Sequence, residues 1–532
     1  MGIPSYFSFI VKNHANIIRK LSRNTIQINN LYLDCNSIIY DAVHTIDFSK
    51  LTDSDVNTII RSVILKIDEY IHLIQPDQFI FIAFDGVAPV AKLEQQRERR
   101  YKSLYQNQIA KSIFKGTKPD PWNTTAITPG TLFMNTLNLQ VKEYFTDPKK
   151  YNVKNIILST SDKFGEGEHK LFDFIRSYPE HHKNSSTLIY GLDADLIMLC
   201  INHLPISSQI YLFRETPHFI KTINAELDPN ETYFIDIPEL ANIITLDMNN
   251  GLELTTEQQK NRIYDYIFLC FFLGNDFMPH FPSVNIRTGG VDKMLNAYKA
   301  TIGATNENLT NGKVIYWKNV RTLVKYLADL EETHLKSEMK LRDKREKNFL
   351  PDDNPENILK KFDVIPTYER ELEKYINPYK SGWQERYYKV LFNIDIDETR
   401  KKQICLNYLE GLEWTMKYYT TGCPDWRWCY NYNYPPLLSD LIHFIPYFET
   451  DLIVNKAPTP VSELVQLCYV MPKQSLKLLP EKLYNSLIEN KNHWYNSDCE
   501  FVWAFCRYFW EAHVQLPDID INELEKFVNE NK

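Results

Sequence analysis

The sequence predicts an α/β protein, a mostly parallel twisted sheet flanked by helices, with a mainly helical C-terminal region packed on it. Three observations carry this prediction. Short apolar runs of strand length recur in the N-terminal part, and stretches with helical periodicity separate them. From about residue 301 the strand-like runs give way to long polar helical stretches. Parallel strands need crossover connections, so alternating strands and helices indicate a parallel sheet.

Four apolar runs are predicted as buried parallel strands. Three of them lie shortly before an aspartate: residues 31–33 before Asp34, 79–84 before Asp85 and 188–190 before Asp193. The fourth, residues 156–158, has no acid after it. Ligands of such sheets bind beyond the carboxyl ends of the strands, so the three aspartates are expected at one place.

Helices are predicted between the strands. Residues 56–74 carry isoleucine and valine on one face, and residues 131–137 follow a Thr-Pro-Gly turn. A Gly/Glu segment at residues 165–170 precedes a helix predicted over residues 171–176. The proline-containing, mixed-charge segment 350–390 is predicted as a connector.

Charge is unevenly distributed along the chain. A formal net charge of −8 argues against a generally basic nucleic-acid coat. Between Lys92 and Lys118, however, eight basic residues stand against two acidic ones. A local basic surface is therefore predicted on an otherwise acidic protein.

Cysteine usage and hydropathy predict the environment. The nine cysteines are odd in number and form no pair of C-x₂-C motifs, so reduced thiols in a cytoplasmic or nuclear protein are expected. The N-terminus has no signal-peptide pattern, and the longest apolar run, residues 266–273, is too short to cross a bilayer. We expect a soluble protein with no membrane partner.

Seven carboxylates are candidate catalytic groups and metal ligands: Asp34, Asp85, Glu166, Glu168, Asp193, Asp195 and Asp276. Taken alone, each of these acids has an equally good structural explanation, as part of a turn, as the cap of a helix N-terminus or as an acid that faces solvent. Together they are expected to converge, and converging carboxylates repel one another unless cations neutralise them. The set predicts two Mg²⁺ or Mn²⁺ ions roughly 4 Å apart, the arrangement of a two-metal phosphodiesterase.

A second set of polar residues follows Asp85. Lys92, Gln96, Arg99 and Arg100 have the spacing of one helix face, so they are able to close on a single phosphate. A solvated basic helix is the alternative. Trp426 and Trp428 lie in an aromatic-rich stretch and are candidates for base stacking, although a core position is the commoner role of tryptophan.

These residues together resemble the XRN family of 5′→3′ exoribonucleases. The similarity is strongest in residues 1–4, 31–36, 84–89 with Lys92 and 95–97, 127–131, 165–170, 190–199 and 269–279. It is weaker in residues 426–440, 478–480 and 510–517. The chain resembles a compact, core-only member of this family.

The resemblance implies a PIN/flap-nuclease-like catalytic region and processive degradation of single-stranded RNA with a 5′-monophosphate to mononucleotides. It implies that the seven acids bind two Mg²⁺ or Mn²⁺ ions and that Lys92, Gln96, Arg99 and Arg100 form the 5′-phosphate pocket. It points to mRNA decay in the cytoplasm, with the nucleus as the alternative and the decapping machinery as a candidate partner. Three segments are expected: a catalytic region (1–300), a helical and connector segment (301–390), and an aromatic-rich region that completes the active-site channel (391–532).

Three positions depart from the family pattern. Tyr40 stands where the family has a histidine that stacks on a base, and tyrosine also stacks. Val90 replaces an arginine and Leu132 a glutamate, which changes the charge expected near the phosphate.

Two other functions stay open. A structure-specific DNA nuclease of the flap type also gathers acids at strand ends, and residues 288–291 loosely resemble its helix-hairpin-helix motif. A non-catalytic RNA-binding scaffold would use the same basic and aromatic residues.

Overall fold

The computed structural model describes residues 5–21, 26–46, 55–115, 122–215, 225, 227–228, 231–454, 457–495 and 499–532. Residues 1–4 and Lys118 lie outside these ranges. The described strands are β1 (Ile18–Lys20), β2 (Asn30–Asp34), β3 (Phe79–Ala83), β4 (Asn155–Ser159), β5 (Thr187–Tyr190), β6 (Ile210–Arg214), β7 (Tyr233–Asp236), β8 (Glu500–Val502) and β9 (His513–Gln515).

Seven strands form one sheet in the order β1-β7-β6-β5-β2-β3-β4, and β8 pairs with β9. The four predicted strands β2, β3, β4 and β5 are confirmed, and they pair in parallel, as β5 does with β6. The antiparallel additions of β7 and β1 were not predicted. A mostly parallel sheet is therefore confirmed, with β5 at its centre and β2 next to it.

Helices cover the sheet on both faces. In the N-terminal part they are α1 (Tyr6–Asn13), α2 (Asn36–Thr45), α3 (Asp55–Ile74), α4 (Val90–Ile113), α5 (Leu132–Tyr144), α6 (Gly167–Ser177), α7 (Pro179–Lys183), α8 (Asp195–His203), α9 (Ile237–Met248), α10 (Thr256–Phe271) and α11 (Gly290–Ala300). Side chains alternate along β2: Leu31 and Leu33 pack in one hydrophobic core with α3, and Tyr32 packs in the other with α6 and α8. The sheet thus has a core on each face.

The C-terminal part is mainly helical, as predicted. Its helices are α12 (Trp317–Glu346), α13 (Pro355–Asp363), α14 (Glu371–Ile376), α15 (Trp383–Leu391), α16 (Glu398–Thr420), α17 (Leu438–Leu441), α18 (Glu463–Val470), α19 (Glu481–Asn490) and α20 (Ile521–Asn531). The connector predicted over residues 350–390 is wrong, because α13, α14 and most of α15 lie there. Pro355 occupies the first turn of α13, where proline starts a helix rather than breaking it.

The C-terminal part packs directly on α4. Val87 and Leu93 belong to one hydrophobic cluster with α18 and α20. Arg97 of α4 donates to the carbonyl of Pro517 at 2.8 Å, and Lys102 donates to that of Ala512 at 2.8 Å. The helix that carries the predicted phosphate pocket is therefore held by residues more than 400 positions away. The limits of the three predicted segments stay a prediction.

The nine cysteines form no disulfide bond with one another among the described residues. Among the described helices, none combines the length and the hydrophobicity needed to cross a bilayer.

Candidate active site

The carboxyl ends of the central strands open into a cavity of about 450 Å³. Asp34 is the last residue of β2, and Asp85 and Asp193 follow β3 and β5. The cavity is lined by five of the seven predicted acids and by all four predicted phosphate-binding residues: Asp34, Asp85, Glu166, Glu168, Asp193, Lys92, Gln96, Arg99 and Arg100. The structure therefore brings together side chains that come from widely separated parts of the sequence.

Backbone and amide groups fix Asp85 at the floor of the cavity. Asn36 donates from Nδ2 to Asp85 Oδ2 at 2.6 Å, and the Gly167 amide donates to Asp85 Oδ1 at 2.6 Å. A Cβ atom on Gly167 would lie 2.5 Å from Asp34 Oδ1, so only glycine lets the helix approach this closely. Helix α6 begins here, at Gly167, and not at residue 171 as predicted. Glu168 therefore lies in its first turn, where the helix dipole favours a negative charge.

The two remaining acids lie behind the cavity wall. Asp195 is the buried first residue of α8, and its amide approaches Asp193 Oδ1 at 3.4 Å. Asp276 is buried in the turn after α10. Lys92 Nζ lies 2.5 Å from Asp276 Oδ2 and 2.7 Å from Glu166 Oε2. This lysine, predicted to bind phosphate, thus also neutralises two of the candidate metal ligands.

Burial and mutual repulsion dominate the electrostatics of the acids. Burial raises the pKa of Asp34 well above its ordinary value, and Asp85 and Asp193 raise it further. Burial raises the pKa of Glu168 in the same way, again with a contribution from Asp193. Burial, followed by Asp193, raises the pKa of Asp195 to about 8. These groups carry their charge at neutral pH only at a cost that a cation would remove.

The Lys92 ammonium supplies part of the positive charge that these acids need. Burial raises the pKa of Asp276, but the nearby positive charges, Lys92 foremost, together outweigh it and hold this pKa below its ordinary value. The pKa of Glu166 stays raised, because burial outweighs the same lysine. Among the described residues, no three acid, histidine or cysteine side chains form a ready-made metal cage. The Lys92 ammonium lies between two of the acids.

The donor set still fits a hard divalent cation. All its members offer oxygen, which Mg²⁺ and Mn²⁺ prefer. Asp34 Oδ1 and Glu168 Oε2 are buried and have no hydrogen-bond partner in the described part of the chain. A buried carboxylate oxygen without a donor is costly unless something positive meets it. Asp34, Glu168 and the neighbouring Asp85 and Asp193 are the residues best placed to hold a metal ion.

The basic side of the cavity is formed by one helix face, as predicted. Lys92, Gln96, Arg99 and Arg100 all belong to α4. Arg100 donates from Nη2 to the hydroxyl of Thr128 at 2.6 Å, and no described carboxylate pairs with it. Burial lowers the pKa of Arg100 to about 10. A half-buried guanidinium that lines a cavity and has no acidic partner among the described residues is suited to bind an anion.

The three departures from the family pattern lie around this face. Tyr40 lines the cavity and is half-buried. Val90 is buried at the start of α4, and its amide donates to the carbonyl of Trp426 at 3.1 Å. Leu132 is 83% exposed at the start of α5, so its side chain points to solvent. Of the three, Tyr40 has the position needed to contact a ligand.

The predicted stacking role of Trp428 is contradicted. Its ring is buried and stacks on Trp414, with centroids 5.2 Å apart. A nearby helix residue, Gly411, also packs closely against the ring, so protein covers it and a base has no free face to stack on. Trp426 is half-buried against Phe164 and is not among the residues lining the cavity. Its role stays a prediction.

Some residues at the site were not predicted. Tyr418 donates from its hydroxyl to Glu166 Oε1 at 2.9 Å and stacks on His169 with centroids 3.7 Å apart. Arg214, at the end of β6, lines the cavity near Asp193. Asn36 was within reach of sequence reasoning, since it follows Asp34 by two residues. Tyr418 was not, because 252 positions separate it from Glu166.

Comparison with known proteins gives two family matches that cover most of the chain. Residues 1–216 match the XRN 5′-3′ exonuclease N-terminus, and residues 257–365 and 367–531 match the Xrn1 helical domain. Similar proteins include 5′-3′ exoribonuclease 2 of Gallus gallus, 26% identical over 100% of this chain and 70% of its own length. The same-named protein of Arabidopsis thaliana is 25% identical over 98% of this chain and 66% of its own length.

The 5′-3′ exoribonuclease 1 of Saccharomyces cerevisiae is 27% identical over 90% of this chain, which spans 40% of that relative. Among solved structures, the catalytic core of Rad2 in complex with a DNA substrate is 14% identical and has a TM-score of 0.31. That match covers 68% of this chain and 84% of the Rad2 core. A TM-score this low does not establish a shared fold.

Proposed function

Because the chain belongs to the XRN family of 5′-3′ exonucleases, we propose that it hydrolyses single-stranded RNA from a 5′-monophosphate end and releases mononucleotides. The observation that carries this proposal is that acidic residues and basic residues line the same cavity. Acids at the strand ends line one side, and the basic face of α4 lines the other. A terminal nucleotide held by its phosphate on α4 would lie beside the acids.

The basic face supplies the means to select the 5′ end. Arg99 and Arg100 offer guanidinium groups, which bind phosphate oxygens through two hydrogen bonds at once. Gln96, which lines the same cavity, adds a side-chain amide whose Nε2 is able to donate a hydrogen bond to a phosphate oxygen. A bound phosphate would also draw the Lys92 ammonium toward the cavity. A 5′-hydroxyl end offers none of these contacts.

The acids supply the means to cleave. Divalent cations bound by such carboxylates provide Lewis-acid catalysis of phosphodiester hydrolysis. Asp34, Asp85 and Asp193 would hold them from the ends of three parallel strands, a rigid support. Tyr418 and the Gly167 amide hold Glu166 and Asp85 in place by hydrogen bonds. Tyr40 would stack on a base near the phosphate and keep the strand in line.

The proposal is tested with one RNA sequence carrying a 5′-monophosphate, a 5′-hydroxyl or a 5′-triphosphate, and with a flapped DNA. We expect rapid release of mononucleotides from the monophosphate form alone, and full inhibition by a chelator. Asp193→Asn should bind the RNA but not degrade it, because binding rests on cations and stacking. Equal decay of all RNA ends would contradict the phosphate pocket.

The same assay separates the alternatives. Preferred cleavage of flapped DNA would favour the flap-type nuclease, and tight RNA binding without decay in any metal would favour the scaffold. An enzyme with the proposed substrate depends on a reaction that exposes a 5′-monophosphate, such as hydrolysis of a 5′ cap. We therefore propose action in mRNA decay in the cytoplasm, downstream of decapping, which co-purification with decapping activity would test.

A further inference from the structure

A second cavity of about 150 Å³ lies next to the candidate active site. Helix α4 presents neighbouring residues to the two cavities, since Gln96 lines the first and Gln95 the second. Asp276 lines the second cavity but not the first. The half-buried Arg287 and Trp510 form part of its wall and leave a route to solvent. The proposed reaction makes no use of this cavity.

Apart from Glu511 Oε1, which forms an ion pair with Arg287, three lining side chains carry buried polar atoms without a hydrogen-bond partner in the described part of the molecule: Gln95 Oε1, Asn275 Nδ2 and His280 Nε2. The orientation of each side-chain amide, of Asn275 and of Gln95, is fixed by the hydrogen bonds of its other polar atom. Asn275 Oδ1 accepts from the amides of Phe277 and Met278, both at 2.9 Å. Gln95 Nε2 approaches Asp276 Oδ1 at 3.5 Å. One acceptor, one donor and one imidazole nitrogen are thus left for a ligand.

Much of the remaining wall is aromatic or apolar. Rings of Tyr434, Phe505, Trp510 and His513 line the cavity together with Met278. An apolar cavity of about 150 Å³ is known to accommodate one six-membered ring. A planar single ring that carries both donors and acceptors matches this volume and this chemistry more closely than a fused double ring does.

The charged groups of the wall are already paired. Arg287 forms an ion pair with Glu511, and Lys102 donates to the carbonyl of Ala512. Asp276 is neutralised by Lys92. Burial lowers the pKa of His280 to about 4, so this imidazole is neutral. The contents of the cavity should therefore be neutral as well.

We propose that this cavity is a binding site for a pyrimidine base, presented by a free nucleoside or by a nucleotide of a chain. A buried polar atom without a hydrogen-bond partner is unfavourable, and a uracil or cytosine ring carries both the donors and the acceptors that these atoms lack. The proposal concerns binding and does not depend on the proposed nuclease activity.

The experiment measures binding of uridine, cytidine and adenosine to the full chain by saturation-transfer NMR and calorimetry, without metal. We expect uridine or cytidine to bind and adenosine to bind at least ten-fold more weakly. Ala504→Met fills the cavity from a buried wall position and should weaken pyrimidine binding at least ten-fold. His280→Phe keeps a ring but removes both nitrogens, and it carries the test should Ala504→Met fail to fold.

Arg100→Ala is the matched control, because it alters the first cavity only. Loss of pyrimidine binding in Arg100→Ala with retention in Ala504→Met would overturn the proposal by placing the base in the active site. Equal affinity for adenosine, or crystals soaked in uridine with only ordered water in the cavity, would also overturn it. Competition by oligo(U) would assign the base to a nucleotide chain, and its absence would assign it to the free nucleoside.

Discussion

Lys92 and Asp276 are 184 positions apart in the sequence, yet 2.5 Å separates Nζ of the lysine from Oδ2 of the aspartate. The same ammonium reaches Glu166, so one cation already lies among the acids that we expect to bind metal. Metal and lysine are therefore alternative partners of the same carboxylates. This relationship links the acidic and the basic side of the cavity.

Lys92→Met should lower the free energy of unfolding of the metal-free protein by about 3–5 kcal/mol, because it removes the ammonium that pairs with two buried carboxylates. Saturating Mg²⁺ should recover more stability in this variant than in the unaltered protein. Urea unfolding with chelator and with Mg²⁺ measures both. Lys142→Met is the control, since its pair with Asp162 is 43% exposed on both sides and is worth about 0–1 kcal/mol. Equal losses in the two variants would contradict the role given to Lys92.

Arg100→Ala should abolish most of the preference for 5′-monophosphate over 5′-hydroxyl ends. A hydrogen bond to a charged group contributes about 1.5–3 kcal/mol, so we expect the ratio of kcat/KM values to fall roughly 10- to 150-fold. The exposed Lys154→Ala controls for loss of one positive charge. An unchanged ratio would mean that the phosphate is bound elsewhere.

Tyr40→Ala should weaken binding of single-stranded RNA by about 1–3 kcal/mol and shorten each degradation run, because one stacked base loses its partner. Tyr40→Phe keeps the ring and should behave like the unaltered protein. Product lengths under single-encounter conditions measure the effect. Similar run lengths for the alanine and phenylalanine variants would rule out stacking at this position.

Glu373→Ala should lower the free energy of unfolding by about 3–5 kcal/mol. Glu373 is 1% exposed and accepts hydrogen bonds from Arg342 at 2.6 Å and Arg370 at 2.7 Å, so its loss leaves two buried guanidinium groups without their shared acid. Glu371→Ala, on the exposed side of the same helix, is the control. A loss below about 1 kcal/mol would show that these arginines find other partners.

The sequence was sufficient to predict the centre of the sheet. Asp34, Asp85 and Asp193 each follow an apolar run too short for a helix, and parallel strands bring such ends together. The basic face of α4 was equally predictable, because helical spacing alone determines it. The antiparallel strands β1 and β7 were missed because they are only three and four residues long and depend on pairing within the sheet: β7 pairs with β6, and β1 pairs with β7 at the edge of the sheet.

Other features depend on contacts that local patterns do not encode. Trp428 and Trp426 are two residues apart in one aromatic stretch, and only the packing of Trp414 decides that Trp428 is buried. The Gly/Glu segment 165–170 was predicted to open a helix over residues 171–176, with its glycines letting the backbone approach a ligand closely. Gly167 begins that helix because the Asp85 carboxylate accepts a hydrogen bond from its free amide.

The most direct test of the central claim is a crystal of the protein soaked with Mn²⁺ and measured for anomalous scattering. We predict two peaks at the carboxyl ends of β2, β3 and β5, within coordination distance of Asp34, Asp85, Glu168 and Asp193, and a Lys92 ammonium displaced from the acids. Loss of both Mn²⁺ peaks in Asp193→Asn would confirm that these carboxylates are the metal ligands. A fully soaked crystal with no peak among these carboxylates, or with Mn²⁺ bound only elsewhere, would contradict the account.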